Sequence, residues 1–460
     1  MPRSSHPNLV FIFADQLRAQ SLGYAGDPNA RTPFLDRFAS ESLNFVNATS
    51  NCPICTPYRA CLLSGQYPLT HGLFMNDLCL PDNGHSLGQT LKKGGYQTAW
   101  IGKWHLDGHG RTSPIPPERR QGFDYWKTLE CTHDYNRSHY YEGDSVELKA
   151  WPGYDAYAQT DDAVAYIRRH NSDTPFALFL SFGTPHDPYD TAPEDLRRLF
   201  PPDKLTLRGN VPPHLEALAW KEYSGYYAHI LAIDQCMKKI DAAISACGLA
   251  ENTILVFTSD HGDMLESHGC SPRASKSPRK QLPYEESVLV PFLLRYPARF
   301  PPPSSPRRVA APMAAPDIMP MLLELCGLGV PEVVEGVNVL KSPEQTGVLI
   351  ASYAPFADTR VALGGRPYRG LRTPRYTFVR DLNGPWMLFD RQTDPWQINN
   401  VVGWMQYANI QAELDAELTR ILRAQNDPFE RPEDLLRRYS YSVNNSGEIP
   451  FSCKTGSCLG

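Results

Sequence analysis

Short apolar runs that stop on a charged residue recur along this chain. Leu9–Ala14 ends at Asp15, Thr98–Gly102 at Lys103, and Ile254–Ser259 at Asp260. Phe176–Phe182 and Pro291–Arg295 are two further runs of strand length. Helical patterns fill the stretches between, at Pro33–Ser40, Leu87–Lys93, Tyr157–His170, Leu215–Ala246 and Pro316–Cys326. Such alternation predicts an α/β domain with a large, mostly parallel central sheet flanked by helices. Sites in open sheets of this kind lie beyond the carboxyl ends of the strands. Asp15, Lys103 and Asp260 are therefore expected to converge.

Past about residue 345 the pattern changes. Tyr368–Arg372, Tyr376–Asp381 and Trp386–Asp390 read as short strands separated by Pro or Asn-Gly, and a helix follows over about Gln406–Gln425. The expectation is a catalytic domain over 1–345 and a C-terminal subdomain over 346–460, with a small antiparallel sheet, a helix and an extended tail. The tail from Asn426 has little periodicity. It reads either as an arm across the body or a neighbouring subunit, or as a partly ordered end.

A chain of 460 residues can bury a large core. Its net charge of −5 offers no bulk attraction to nucleic acid or to an anionic membrane surface, so neither is expected as a partner. An anionic substrate would need a local positive site. No apolar run approaches membrane-spanning length. The 11 cysteines are scattered without a repeated zinc-type spacing. The polar start leads into Leu9–Ala14 without a small-residue cleavage site. The reading is a cytoplasmic protein with reduced cysteines, which a trimmed leader would overturn.

One short motif carries chemistry. Cys55-Thr56-Pro57-Tyr58-Arg59 leads into Ala60-Cys61-Leu62-Leu63-Ser64-Gly65. By residue type alone, Cys55 reads as a small buried hydrophobe. The pentad resembles the signature of the type I sulfatases, in the alkaline phosphatase superfamily. That resemblance implies an alkaline phosphatase-like fold. It also implies that a formylglycine-generating enzyme oxidises Cys55 to formylglycine, whose hydrated aldehyde attacks the sulfur of a sulfate ester. Phe13-Ala14-Asp15-Gln16 is similar to the family's first metal half-site, and Ser259-Asp260-His261-Gly262-Asp263 to the second. The implied ligands of one divalent cation are Asp15, Gln16, Asp260, His261 and an oxygen of the modified Cys55. Oxygen donors suit Ca2+ or Mg2+, and the His261 nitrogen draws the preference somewhat toward Mn2+; Ca2+ is the first expectation. Many arylsulfatases carry a second Asp in place of Gln16 and Asn in place of His261. The Gln and His version also occurs in phosphonate monoester and phosphodiester hydrolases.

The resemblance runs on through Gly102-Lys103-Trp104-His105-Leu106 and Thr184-Pro185-His186-Asp187-Pro188. It implies that Lys103 binds a sulfate oxygen and that His105 holds the hydrate and later deprotonates it. By the same match, His186 protonates the leaving alcohol. Lys280, four residues before Tyr284-Glu285-Glu286-Ser287, matches the second sulfate-binding lysine, and Leu289 stands where the family usually has Arg. Arg59 would orient the hydrate and Asp260 would act as the base for attack. His133 and Arg137, with the loop Asn76-Asp77, read either as the pocket mouth, contacting sugar hydroxyls, or as ordinary loop residues. His109 could serve similarly. The function implied is hydrolysis of a sulfated carbohydrate or an aryl or alkyl sulfate, with release of inorganic sulfate. The alternatives are a phosphonate monoester or phosphodiester hydrolase on the same scaffold, a binding protein that keeps the fold without the chemistry, and a metal-dependent phosphatase or mutase. A homo-oligomer is left open.

Overall fold

Leu9 to Ala14 forms the middle of a strand, Asn8–Asp15, whose eight residues are all buried. This is a computed structural model of the chain, and it describes residues 6–170, 174–269, 277–301 and 307–450. The buried strand lies near the middle of a ten-stranded sheet. From edge to edge the order is Arg307–Val309, Leu43–Phe45, Phe292–Arg295, Thr253–Ser259, Asn8–Asp15, Phe176–Pro185, Gln97–Lys103, Tyr125–Leu129, His139–Glu142 and Lys149–Ala150. The five strands from Thr253–Ser259 to Tyr125–Leu129 are mutually parallel. Antiparallel strands flank them, Phe292–Arg295 on one side and His139–Glu142 on the other. The fold is that expected from the alternation of runs.

Alternate residues of the central strand feed two separate cores. Leu9, Phe11 and Phe13 join Trp100, Phe179 and Phe292 on one face. Val10, Ile12 and Ala14 join Leu178, Leu180, Tyr226 and Ile233 on the other. A strand covered on both faces needs apolar residues at every position, which is why the run reads as continuous rather than alternating. Pro33–Glu41, Asp155–Arg169 and Glu216–Ala246 cover one face. Cys55–Ser64 and Ile318–Leu325 cover the other.

Register then positions the site. Ala14 lies opposite Ser259, and Gly102 opposite Ser181. The residues that follow, Asp15, Asp260 and Lys103, therefore leave the sheet at one rim. All ten residues of the Cys55–Ser64 helix are buried, and it ends on Gly65 in the left-handed region at φ +67°. Its first turn is capped from outside, by the Thr56 N–H donating to Asn76 Oδ1 at 3.0 Å.

Val348–Ser352, Tyr368–Arg372, Tyr376–Asp381 and Gly384–Asp390 form an antiparallel meander. The first of these strands escaped the sequence reading. Leu414, Leu418 and Leu422 of the Ala408–Ala424 helix pack on Leu349, Leu371, Phe378 and Leu388. From Asn426 to residue 450 the chain lies across the body. A helix forms at Pro432–Arg438, Leu435 is buried, and the Tyr439 and Tyr441 rings sit 5.2 and 5.6 Å from Phe74. Cys52, Cys55, Cys61, Cys131, Cys236, Cys247 and Cys326 are free. Among the described residues, no helix is long and apolar enough to cross a membrane.

Candidate active site

Cys55 opens its helix at the rim where the parallel strands end. Its Sγ lies 3.3 Å from His261 Nε2, 3.3 Å from Lys280 Nζ and 3.7 Å from Asp15 Oδ1. Arg59, one turn further along the same helix face, reaches under it. The guanidinium donates to Asp15 Oδ2 and Asp260 Oδ2, both at 3.2 Å, to Ser181 Oγ at 2.7 Å and to the Lys103 carbonyl at 3.0 Å. Lys103 Nζ donates to Asp15 Oδ2 at 2.6 Å. These side chains are buried, except Lys280, which is half-buried.

Asp260 Oδ1 accepts the backbone N–H groups of Gln16 and His261, at 3.0 and 2.9 Å. His261 Nδ1 faces the Gly262 carbonyl at 2.9 Å. Donation from Nδ1 leaves the Nε2 lone pair directed at the cluster. Gln16 Nε2 donates to Asp263 Oδ2 at 2.8 Å. That fixes the amide and leaves buried Oε1 with no partner. Ligand atoms of Asp15, Cys55, Asp260 and His261 all lie within 4.8 Å of one another. Two carboxylates, an imidazole nitrogen and an unpartnered amide oxygen form a donor set that fits a divalent cation. Gly262 keeps this turn tight, because a Cβ there would meet the Glu286 carbonyl oxygen at 2.0 Å.

Charge is unevenly distributed. Burial raises the Asp15 carboxyl, but Lys103, His186, Arg59 and His261 outweigh it and hold it well below the usual carboxylate range. Burial and the Asp15 charge push Asp260 up. Burial and Asp15 oppose ionisation of the Cys55 thiol, yet Lys103, Lys280 and His261 bring it well below its ordinary value. The centre therefore favours an anion where Cys55 sits.

His186 Nε2 lies 3.0 Å from Lys280 Nζ. Burial and that ammonium press its imidazole down to about 3. His133 stacks flat on His186, with ring centres 4.6 Å apart and planes 8° from parallel. This brings His133 to the site. Arg137 is exposed, and its backbone N–H turns back to the Asp134 carbonyl. His109 Nδ1 folds onto the Asp107 carbonyl at 2.5 Å.

Two contributors lie outside the motifs: Asp77, read only as a pocket-mouth or ordinary loop residue, and Cys131, which carried no signal. Asp77 is turned inward, with Oδ1 3.2 Å from His105 Nε2. Cys131 lies 3.8 Å from His133 Nε2. Burial disfavours its thiolate, but Lys103, His105 and His133 draw the thiol down to about 5. Burial likewise disfavours charge on His105, while Cys131 and Asp77 raise it to about 9. Neither contributor adjoins a motif; each is carried in by a loop packed against the Lys103–Leu106 turn.

The family model described as Sulfatase matches residues 7–328. A second, described as N-sulphoglucosamine sulphohydrolase, C-terminal, matches residues 279–424. The chain is 43% identical over 453 residues to an ulvan-active sulfatase of Formosa agariphila, covering 97% of this chain and 87% of that protein. It is 29% identical over 518 residues to an endo-4-O-sulfatase of Bacteroides thetaiotaomicron, covering 95% and 96%. A solved Bacteroides thetaiotaomicron structure from work on the metabolism of multiple glycosaminoglycans is 29% identical, with a TM-score of 0.81 over 95% of this chain and 99% of that one.

Proposed function

The chain belongs to the sulfatase family, and on that premise we propose that it strips sulfate from a sulfated carbohydrate, using formylglycine made from Cys55 and one divalent cation. It is a sulfatase, a hydrolase of sulfate esters on the alkaline phosphatase-like fold. The observation that carries the finer reading is the seat of Cys55 Sγ, 3.3 Å from both Lys280 Nζ and His261 Nε2 at the start of a wholly buried helix. A formylglycine-generating enzyme would supply the modification.

Asp15, Gln16, Asp260 and His261 would hold the cation, with the modified Cys55 completing the set. Ca2+ is preferred to Mn2+ or Mg2+ because three of those four residues offer oxygen. When bound, the cation contributes Lewis-acid charge, and the hydrate contributes two hydroxyls, one to take sulfur and one to expel sulfate.

The chain's own residues do the rest. Lys103 and Lys280 hold sulfate oxygens and stabilise the charge that builds on them. Arg59 is fixed by four partners and sets the orientation of the group at Cys55. Asp260 takes the proton of the attacking hydroxyl. The departing alcohol takes its proton from the Lys280–His186 pair, joined at 3.0 Å. His105 removes the proton of the second hydroxyl. His133, stacked on His186 and half-buried, borders the side from which the alcohol leaves. Relatives named as an ulvan-active sulfatase and an endo-4-O-sulfatase support a carbohydrate as that alcohol.

A panel of sulfated saccharides, aryl sulfates, phosphodiesters and phosphonate monoesters tests the reading, alongside fragmentation mass spectrometry of the Cys55 peptide. Sulfate release by protein carrying the aldehyde is expected, and its loss in Cys55→Ala. Faster turnover of a phosphonate or phosphodiester than of any sulfate ester overturns the substrate assignment. Undiminished sulfate release by Cys55→Ala overturns the nucleophile.

A further inference from the structure

Two adjacent residues tie the Cys55 helix to the loop that bears His105. Asn76 Oδ1 accepts the Thr56 N–H at 3.0 Å, in the first turn of that helix. Asp77 Oδ1 lies 3.2 Å from His105 Nε2. Asp77 is in the left-handed region at φ +63°, which sends neighbouring side chains to different partners. His105 is held at φ +59° and is 2% exposed.

The surroundings fix both ends of the Asp77–His105 contact. Arg111 Nη2 lies 3.3 Å from the other Asp77 oxygen. Thr56 Oγ1 donates to the His105 carbonyl at 2.8 Å, a second bond between helix and loop. Glu130, fully buried, accepts the backbone N–H groups of Leu106, Asp107 and Gly108 at 3.2, 2.9 and 2.7 Å. Leu80 N–H donates to the Leu106 carbonyl at 2.9 Å. At Gly108 the two loops touch backbone to backbone, since a Cβ there would lie 2.7 Å from Cys79 N and from Leu78 C. Buried His105 Nδ1 has no hydrogen-bond partner.

A buried imidazole with one nitrogen on a carboxylate and the other unpartnered has a defined tautomer whenever it is neutral. The carboxylate can only accept, so the proton sits on the nitrogen facing it. We propose that Asp77 is the positioning residue for His105. It holds the Nε2 proton in either charge state of the imidazole, so that Nδ1 is the nitrogen that exchanges a proton with the hydroxyl formed at Cys55. This inference rests on the formylglycine reading above and adds to it a residue that no motif supplied. Asp77 touches neither substrate nor nucleophile; it acts through His105.

A double-mutant cycle on an aryl sulfate tests it, with Cys55 conversion and melting temperature checked for every variant. Asp77→Ala should lower kcat about 100-fold, the scale of an acid–base contribution, with KM within about threefold. Asp77→Asn keeps an acceptor for Nε2–H and should retain about tenfold more kcat than Asp77→Ala. On a His105→Ala background, Asp77→Ala should cost less than about threefold, because the group it positions is gone. Asp77→Ala with kcat within threefold of wild type overturns the inference, as does a full further loss in the double variant, or Asp77→Asn no better than Asp77→Ala. If Asp77→Ala does not fold, Asp77→Asn alone and in the cycle decides. A wild type that carries the aldehyde but releases no sulfate sinks the formylglycine mechanism itself, which separates the two failures.

Discussion

Two buried arginines show how differently the same side chain is used. Arg369, at the junction of the small sheet and the arm, is fully buried and forms a bidentate pair with Asp427. It also donates to the Ser352 and Tyr368 carbonyls, and its guanidinium lies 3.9 Å from the Tyr353 ring centre. One cation meets one anion and its hydrogen bonds are filled. Arg59, equally buried, is shared between Asp15 and Asp260, and its Nε has no partner. Lys103 and Lys280 stand beside it, so cations outnumber carboxylates around Cys55. The closed pair holds the fold. The unbalanced cluster is completed only by what binds there.

The sharpest way to break this contrast is to remove the excess cations. The double variant Lys103→Ala, Lys280→Ala should lose about 10⁴-fold or more in kcat/KM, from two charge-stabilising contacts together. Its denaturant midpoint should fall by less than that of Arg369→Ala, because Asp15 loses Lys103 but keeps Arg59 as a partner. A midpoint that falls as far as activity would make the cluster structural and end the comparison. Next in size is Arg369→Ala. Stranding buried Asp427 should cost about 3–5 kcal/mol in a denaturant titration. The kcat/KM of the folded fraction should stay within about twofold, and a large activity loss at full folding would show that the junction reaches the rim.

The smallest effect separates the two regions by pH. Sequence beyond His268 contains no histidine, so buried imidazoles belong to the catalytic body. Burial depresses His229 to about 3, and its Nδ1 lies 2.6 Å from the Tyr154 hydroxyl. Above about pH 6.5, its value in an unfolded chain, both states are neutral and the contribution is full. Between there and about 3 only the unfolded state takes the proton, so stability falls as pH falls. In His229→Gln the stability-versus-pH slope between pH 6 and 4 should change by about 1.4 kcal/mol per unit, the proton-linked loss being gone. An unchanged slope in urea titrations would remove His229 from the acid response.

Elements with one strong local signal were legible. Leu87–Lys93 matches its helix residue for residue, helped by Ser86 and Gln89, which form a capping box at its start. Tyr368–Arg372 and Tyr376–Asp381 also match. The central strands were readable because burial on both faces demands unbroken apolar runs, and charge ends them at the rim. Tyr125–Leu129, with sequence YWKTL, was missed because Lys127 and Thr128 interrupt the run; Lys127 is accommodated by ion pairs with Glu142 and Asp162. The convergence of the Asp15, Asp260, Cys55 and Lys103 blocks was legible because consecutive residues reach one rim. Asp77 was not. Its partner is 28 residues away, and the contact depends on two left-handed backbone positions and a backbone-to-backbone loop crossing. Arg137 had the chemistry of a binding residue but lies on an exposed turn.

The strand order also keeps time. Asn8–Asp15 leaves the ribosome well before its two neighbours, Phe176–Pro185 and Thr253–Ser259. The sheet cannot close around it until Ser259 has been translated. At roughly 5–20 residues per second, that wait is on the order of ten seconds or more. Through this interval the helix that later buries Cys55 has no finished surface to dock on. The thiol is thus open to another enzyme early in the protein's life and 1% exposed once synthesis is complete.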